Sequence, residues 1–216
     1  MSEQQVFAFA RTRKARRGKK LGRPKQARAR VRHGAREAVK PHEPQHVTLR
    51  LVEGLSSLRT RAVLEVLWDV LAEAKNRNGM RVCHWTALPN HMHLIVEAED
   101  ETALARGMNG LLVRIARRVN KVFGRHGKLF DGRYHVRALR TPREVRHAIR
   151  YVLTNAEHHG IRTSQPIDPF SSGAWFDGWT EPVEVIAGPI DAPLAEPKSW
   201  LLGVAGRKGL VLQLRA

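Results

Sequence analysis

The sequence predicts an α+β domain, an antiparallel sheet packed against helices, preceded by a disordered basic arm. Three observations carry this reading. Short runs with apolar residues at period two alternate with longer runs at helical period. The chain is 42% hydrophobic, enough for a real core. Its Lys and Arg residues crowd toward the N-terminus.

The charge defines the organisation. The formal net charge is +18 and the pI about 11.3, which argues for a polyanionic partner and says nothing of fold. Residues 1–42 hold 14 of the 38 Lys and Arg against two acids, Glu3 and Glu37, a net +12 that leaves +6 for the rest. With almost no large apolar residue after Phe9, this segment cannot bury a core and is expected to stay disordered until it meets its partner. The boundaries expected are 1–43 for a DNA-binding arm, 44–160 for the folded domain and 161–216 for an extension packed on it. Within the arm, Gly22-Arg23-Pro24-Lys25 resembles the core of an AT-hook, which would set Arg23 in the minor groove of A·T-rich DNA; non-specific electrostatic binding is the alternative. The single Cys83 excludes an intramolecular disulfide and a cysteine-rich zinc site, and reads as a small buried residue in a reducing compartment. No run approaches 18 apolar residues and no secretory signal is present, so a bacterial-type cytoplasm and no membrane are expected. A transit peptide is disfavoured because Arg11 to Lys40 lacks a regular apolar face.

The first strand is expected from His46 to Val52, where Val47, Leu49 and Leu51 alternate with Thr48 and Arg50. Thr60 then caps a helix to about Asn78, with Val63, Leu64, Leu67, Val70, Leu71 and Ala74 as its stripe and Asn78-Gly79 as its end. Two strands, Arg81 to Leu88 and His91 to Ala98, flank the turn Pro89-Asn90 and form a hairpin. A helix from Glu101 to Phe123 shows Leu104, Met108, Leu111, Leu112, Ile115, Val119 and Val122 at helical spacing. Along another of its faces run Arg114, Arg117, Arg118 and Lys121, either solvated or set to contact phosphates. Arg133 to Arg140 reads as a strand. Thr141-Pro142-Arg143-Glu144 is a capping box with proline at the first helical position, opening a helix to His158 or His159. Past Gly160 the chain is irregular, with Phe170, Trp175, Phe176 and Trp179 expected to pack the extension down. The order strand, helix, strand, strand, helix, strand, helix is the ferredoxin-like pattern with one added helix.

The sharpest chemical signal is Pro89-Asn90-His91-Met92-His93-Leu94. On a strand, His91 and His93 share one face while Met92, Leu94 and Val96 take the other. Two adjacent imidazoles suit several divalent ions, although such pairs are as often structural. On the last helix Tyr151 and Asn155 lie at i and i+4, and Tyr151 sits about 110° from the centre of the apolar stripe, where a core tyrosine would not. Tyr134 is a rival.

Together, Pro89-Asn90-His91-Met92-His93-Leu94, Leu129-Phe130-Asp131-Gly132-Arg133-Tyr134-His135-Val136-Arg137 and Ala148-Ile149-Arg150-Tyr151-Val152-Leu153-Thr154-Asn155 resemble the REP-associated tyrosine transposases, relatives of the IS200-like single-tyrosine transposases. The match covers roughly residues 45–160. The resemblance implies an HUH nuclease domain in which His91, His93 and Asn155 hold Mg²⁺ or Mn²⁺ and Tyr151 is the nucleophile. It implies metal-dependent cutting and rejoining of single-stranded DNA, at hairpin repeats, through a 5′-phosphotyrosine. No GxxxxGK[ST] motif is present, consistent with rejoining that needs no ATP. Arg114, Arg117, Arg118, Arg133 and Arg137 are the expected phosphate contacts, and His147 is a candidate to take the tyrosine proton. Monomer and homodimer are both compatible. After Asn155 the family usually continues with proline and an arginine-containing turn, whereas this chain has Ala156-Glu157-His158-His159-Gly160. A non-catalytic DNA-binding relative is the alternative reading. A histidine-triad hydrolase is disfavoured by Ile95, where that family has a third histidine.

Overall fold

The computed structural model describes residues 38–163, 165–181, 189, 191–205 and 208–213. Most of the expected arm, residues 1–37 with Arg23 and the AT-hook-like segment, lies outside the described residues.

β1 (Gln45–Arg50) alternates as its sequence requires, with Val47 and Leu49 buried in the core. It is followed by α1 (Arg61–Ala74), whose N-cap Thr60 accepts a hydrogen bond from the Val63 amide. The helix ends four residues before the expected Asn78. Asn76 and Arg77 instead form the short β2 (Asn76–Arg77), which pairs antiparallel with β3 (Met80–Ala87). Asn78 and Gly79, at φ 55° and 72°, make the two-residue loop between them, where both positions must be left-handed for the strand twist to match. β4 (His91–Ala98) returns along β3, and Asp100 caps α2 (Glu101–Val122). β5 (His135–Ala138) is shorter than expected. α3 (Pro142–Leu153) opens on the capping box of Thr141 and Glu144.

The helix expected to reach His158 is broken at Thr154. Both the amide and the hydroxyl of Thr154 donate to the Arg150 carbonyl, and the residue leaves helical geometry at φ −108°, ψ 15°. Such back-bonding bends helices. The chain restarts as the single turn α4 (Asn155–His158).

The strands are ordered β2-β3-β4-β1-β5 and every pairing is antiparallel. Without β2 this is a ferredoxin-like βαββαβ unit, so the α+β reading holds. α1 and α2 bury their stripes on one face, against Val47, Leu49, Val82, Met92, Leu94 and Val96. From the expected α2 stripe, Leu112 is only half-buried and Val122 is exposed. On the opposite face Val145, Ala148, Ile149 and Val152 of α3 join Cys83 and Ile95. A bulge between Val82 and His84 turns Cys83 toward that second cluster.

The segment after Gly160 packs on both clusters. Phe170 and Trp175 lie against the first; Phe176, Trp179, Leu201, Leu202, Leu210 and Leu212 belong to the second. Two buried polar anchors accompany them. Arg59 forms a two-pronged ion pair with Asp168 at 2.8 and 2.9 Å. Glu97 accepts from Arg81 and from Lys198 and Ser199.

Candidate functional site

The site is the polar half of two strands. Because side chains alternate, burying Val47 and Leu49 under α1 and α2 turns His46 and Thr48 to the α3 face, and burying Met92 and Leu94 turns His91 and His93 there too. The β1–β4 register sets Thr48 directly opposite His93 and Arg50 opposite His91. The β1–β5 register brings His135 and Arg137 alongside.

The rings meet closely. His91 and His93 have centroids 5.0 Å apart, and Tyr151 stands edge-on to His93 at 5.2 Å. His46 lies 5.2 Å from His93 and 6.0 Å from Tyr151. From α4 and its end, His158 stacks on Tyr151 at 5.9 Å and His159 lies 5.2 Å from His91. Tyr151 itself is 36% exposed, packed at its base and open to solvent.

Burial disfavours the imidazolium form of all three inner histidines. His93 is pushed down to about 3, first by burial and then by the neighbouring His46, His91, His159 and Arg50. His46 falls to about 4, by burial and then by Arg137 and His135. His91 is lowered by burial, His159 and Arg50. Neutral imidazoles keep a lone pair for a metal.

The fit to a divalent cation rests on orphaned polar atoms. His93 Nε2 is buried with no hydrogen-bond partner. Asn155, one turn after Tyr151 at the start of α4, is fully buried with neither Oδ1 nor Nδ2 partnered. Unpaired buried groups of this kind are costly and call for a ligand, a water or an ion. Among the described residues no three His, Cys, Asp or Glu are spaced to hold a metal ion. A cation held by His91, His93 and Asn155 would take two imidazoles and an amide.

Beside Tyr151, between β5 and α3, opens a cleft of about 590 Å³ lined by His46, Arg137, Leu139, Arg143, Glu144, His147, Ala148 and Tyr151. Arg137 reaches it while paired with Glu144 at 2.6 Å, and His147 lines it with the tyrosine. Arg133 is exposed just before β5. Arg114, Arg117 and Arg118 are not brought to this site. They lie on α2, which packs on the other face of the sheet, and Arg118 pairs with Glu73 of α1. Tyr134 also goes elsewhere: its ring packs against the α1–α2 core and its hydroxyl is buried.

Sequence reasoning missed His46, Thr48, His158 and His159 as neighbours of the site, and placed Asn90 only as turn material. The polar face of β1 was a visible signal for the first two. The ring contacts of the last two depend on the break at Thr154.

The family model for IS200-like transposases matches residues 46–155, just over half of the chain. No curated protein matches it. Among solved structures, a REP-associated tyrosine transposase bound to a REP hairpin superposes with a TM-score of 0.54 at 20% identity, over 66% of this chain and 82% of that one. That likeness shows the fold. A protein from Deinococcus radiodurans R1, assigned to the transposases, aligns with a TM-score of 0.40 at 17% identity, over 63% of this chain and 100% of that one.

Proposed function

Since the chain belongs to the IS200-like transposase family, we propose that it cuts and rejoins single-stranded DNA at hairpin-forming repeats through a 5′-phosphotyrosine on Tyr151. The observation that carries this is the meeting of Tyr151 with His93, rings 5.2 Å apart, where His93 presents a buried, unpartnered Nε2. His91, His93 and Asn155 would hold Mg²⁺ or Mn²⁺. When bound, such an ion polarises the scissile phosphate and offsets charge on its oxygens.

The chain's own residues do the rest. Tyr151 Oη forms a bond to phosphorus as the bond to the 3′-oxygen breaks; the phenol gives up its proton and the leaving oxygen gains one. One phosphoester replaces another, so the reverse attack by a 3′-hydroxyl reseals the strand without ATP. His147, which lines the same cleft, would take the phenol proton. Arg137 and Arg143, which line the cleft, would meet the phosphates flanking the cut. The bound hairpin of the REP-associated transposase suggests hairpin DNA as the substrate here as well. The basic N-terminal residues would add sequence-independent attraction.

The test is incubation with labelled hairpin oligonucleotides in Mg²⁺, Mn²⁺ or EDTA, followed by denaturing electrophoresis. An SDS-resistant adduct that needs metal and is lost in Tyr151→Phe supports the reading. Tight binding without an adduct across varied hairpins would leave a DNA-binding protein and refute the catalytic one.

A further inference from the structure

We infer that Asn90, Thr48 and His46 are positioning residues that hold His91 and His93 as their Nδ1–H tautomers, so that each ring keeps its Nε2 lone pair for a divalent cation. The inference deepens the metal reading above and adds residues that reading does not use. A neutral imidazole carries one proton, and only the nitrogen without it can ligate. What bonds the first nitrogen therefore decides whether the second is available.

For His91 the partner is Asn90. Its Nδ1 lies 2.7 Å from Asn90 Oδ1, and a carbonyl oxygen only accepts. His91 Nδ1 must therefore donate, which leaves Nε2 bare. Asn90 is the residue before the strand begins, so the turn that ends in His91 also carries its orienting group.

For His93 the two arrangements are not equal. Its Nδ1 faces Thr48 Oγ1 at 3.1 Å and His46 Nε2 at 3.2 Å, while its Nε2 is buried without a partner. A proton on Nε2 would make a buried N–H with nothing to donate to, an arrangement proteins rarely tolerate. A proton on Nδ1 has two acceptors. The pairing exists because the β1–β4 register puts Thr48 directly across from His93 and His46 one pair further along the same face. His46 also stands edge-on to Tyr151 at 6.0 Å, so the group that orients the ligand touches the nucleophile's ring as well.

Long-range ¹H–¹⁵N spectra of the ¹⁵N-labelled full chain in EDTA report the tautomer of each histidine without any metal. Nδ1–H at both His91 and His93 is expected; Nε2–H at His93 overturns the inference. In the double variant Thr48→Val with His46→Phe, both acceptors are gone. Its His93 should move toward Nε2–H and its Mn²⁺ affinity, read by electron paramagnetic resonance, should fall by about 10- to 100-fold. The pair Thr48→Ser with His46→Gln restores both acceptors and should restore both readouts. A folded Val/Phe variant with unchanged tautomer and unchanged Mn²⁺ affinity refutes the role. Should that variant not fold, the wild-type spectrum alone decides. Wild-type chain that shows Nδ1–H at both rings yet binds no Mn²⁺ would sink the metal reading and leave the tautomer assignment standing.

Discussion

Asn155 has a fully buried side-chain amide, and neither of its polar atoms is partnered. An unsatisfied buried polar group costs about 1–3 kcal/mol, a cost that a bound ion would remove and an apolar side chain of similar size would never incur. Asn155→Leu is therefore expected to raise the unfolding midpoint in EDTA by a few degrees, at about 2–4 °C per kcal/mol for a chain of this size. If Asn155 helps to hold the ion, Mn²⁺ should raise the midpoint of the wild type and leave that of this variant unchanged. A lower midpoint in EDTA would show that the amide already has a structural partner. At this scale much of the site was legible: the alternation in β4 put His91 and His93 on one face, and the spacing of Tyr151 and Asn155 put them one turn apart. His46 and Thr48 were not legible as partners of His93. They lie 47 and 45 residues away from it in sequence, and only the β1–β4 register brings them together.

The α3 helix carries Tyr151, and its first turn is held by a reciprocal cap. Thr141 Oγ1 accepts from the Glu144 amide at 3.2 Å, and the Glu144 carboxylate accepts from the Thr141 and Arg140 amides at 3.1 and 2.8 Å. Thr141→Ala should cost about 1 kcal/mol in chemical unfolding. The backbone bond from Arg140, then the Arg137 guanidinium, lowers the Glu144 pKa below its ordinary 4.5. A lowered carboxylate stabilises the fold above that ordinary value and stops doing so as pH falls through its folded value. The stability gap between wild type and Glu144→Gln should thus be widest above pH 4.5 and close in acid; a gap that widens in acid would contradict the cap. Elsewhere α2 crosses the sheet at Gly107, where an added Cβ would come within 2.6 Å of Met80 Cβ. Gly107→Ala should destabilise by about 1–3 kcal/mol despite the better helix propensity of alanine, because overcrowding outweighs it. The elements themselves were legible from periodicity and caps, and the misses came from ambiguous signals. Asn78-Gly79 suits a helix end and a two-residue hairpin equally, and the hairpin wins because β2 can pair with β3. The Thr154 break leaves no trace in the apolar pattern, since a single side-chain bond to Arg150 makes it.

Across the whole molecule, the extension bears on the site through α3. Arg59 and Asp168, 109 residues apart, fix its start, and Glu97 holds it again at Lys198 and Ser199. Such distant pairs are invisible to local pattern, so only the aromatic residues hinted that this segment packs down. Glu97 lies on β4, on the face that carries His91 and His93, fully buried. It accepts from Arg81 at 3.1 Å, from the Lys198 and Ser199 amides at 2.8 and 2.9 Å, and from Ser199 Oγ at 2.6 Å. Immediately beyond that anchor Leu201 and Leu202 enter the cluster that also holds Val145, Ile149 and Val152 of α3. The α3 helix is thus packed by the sheet and by a segment tethered to β4. Ser199→Ala removes one donor to a charged acceptor and should cost about 1.5–3 kcal/mol, with the two backbone donors retained. A chain ending at Pro197 removes three of the four donors together with Leu201, Leu202, Leu210 and Leu212. Its α3 amides should exchange with solvent far faster than those of α1 and α2, whose stripes are buried on the other face, and adduct formation should fall although Tyr151, His91, His93 and Asn155 are untouched. Equal protection of α3 in the full and shortened chains would mean that the sheet alone holds the tyrosine in place.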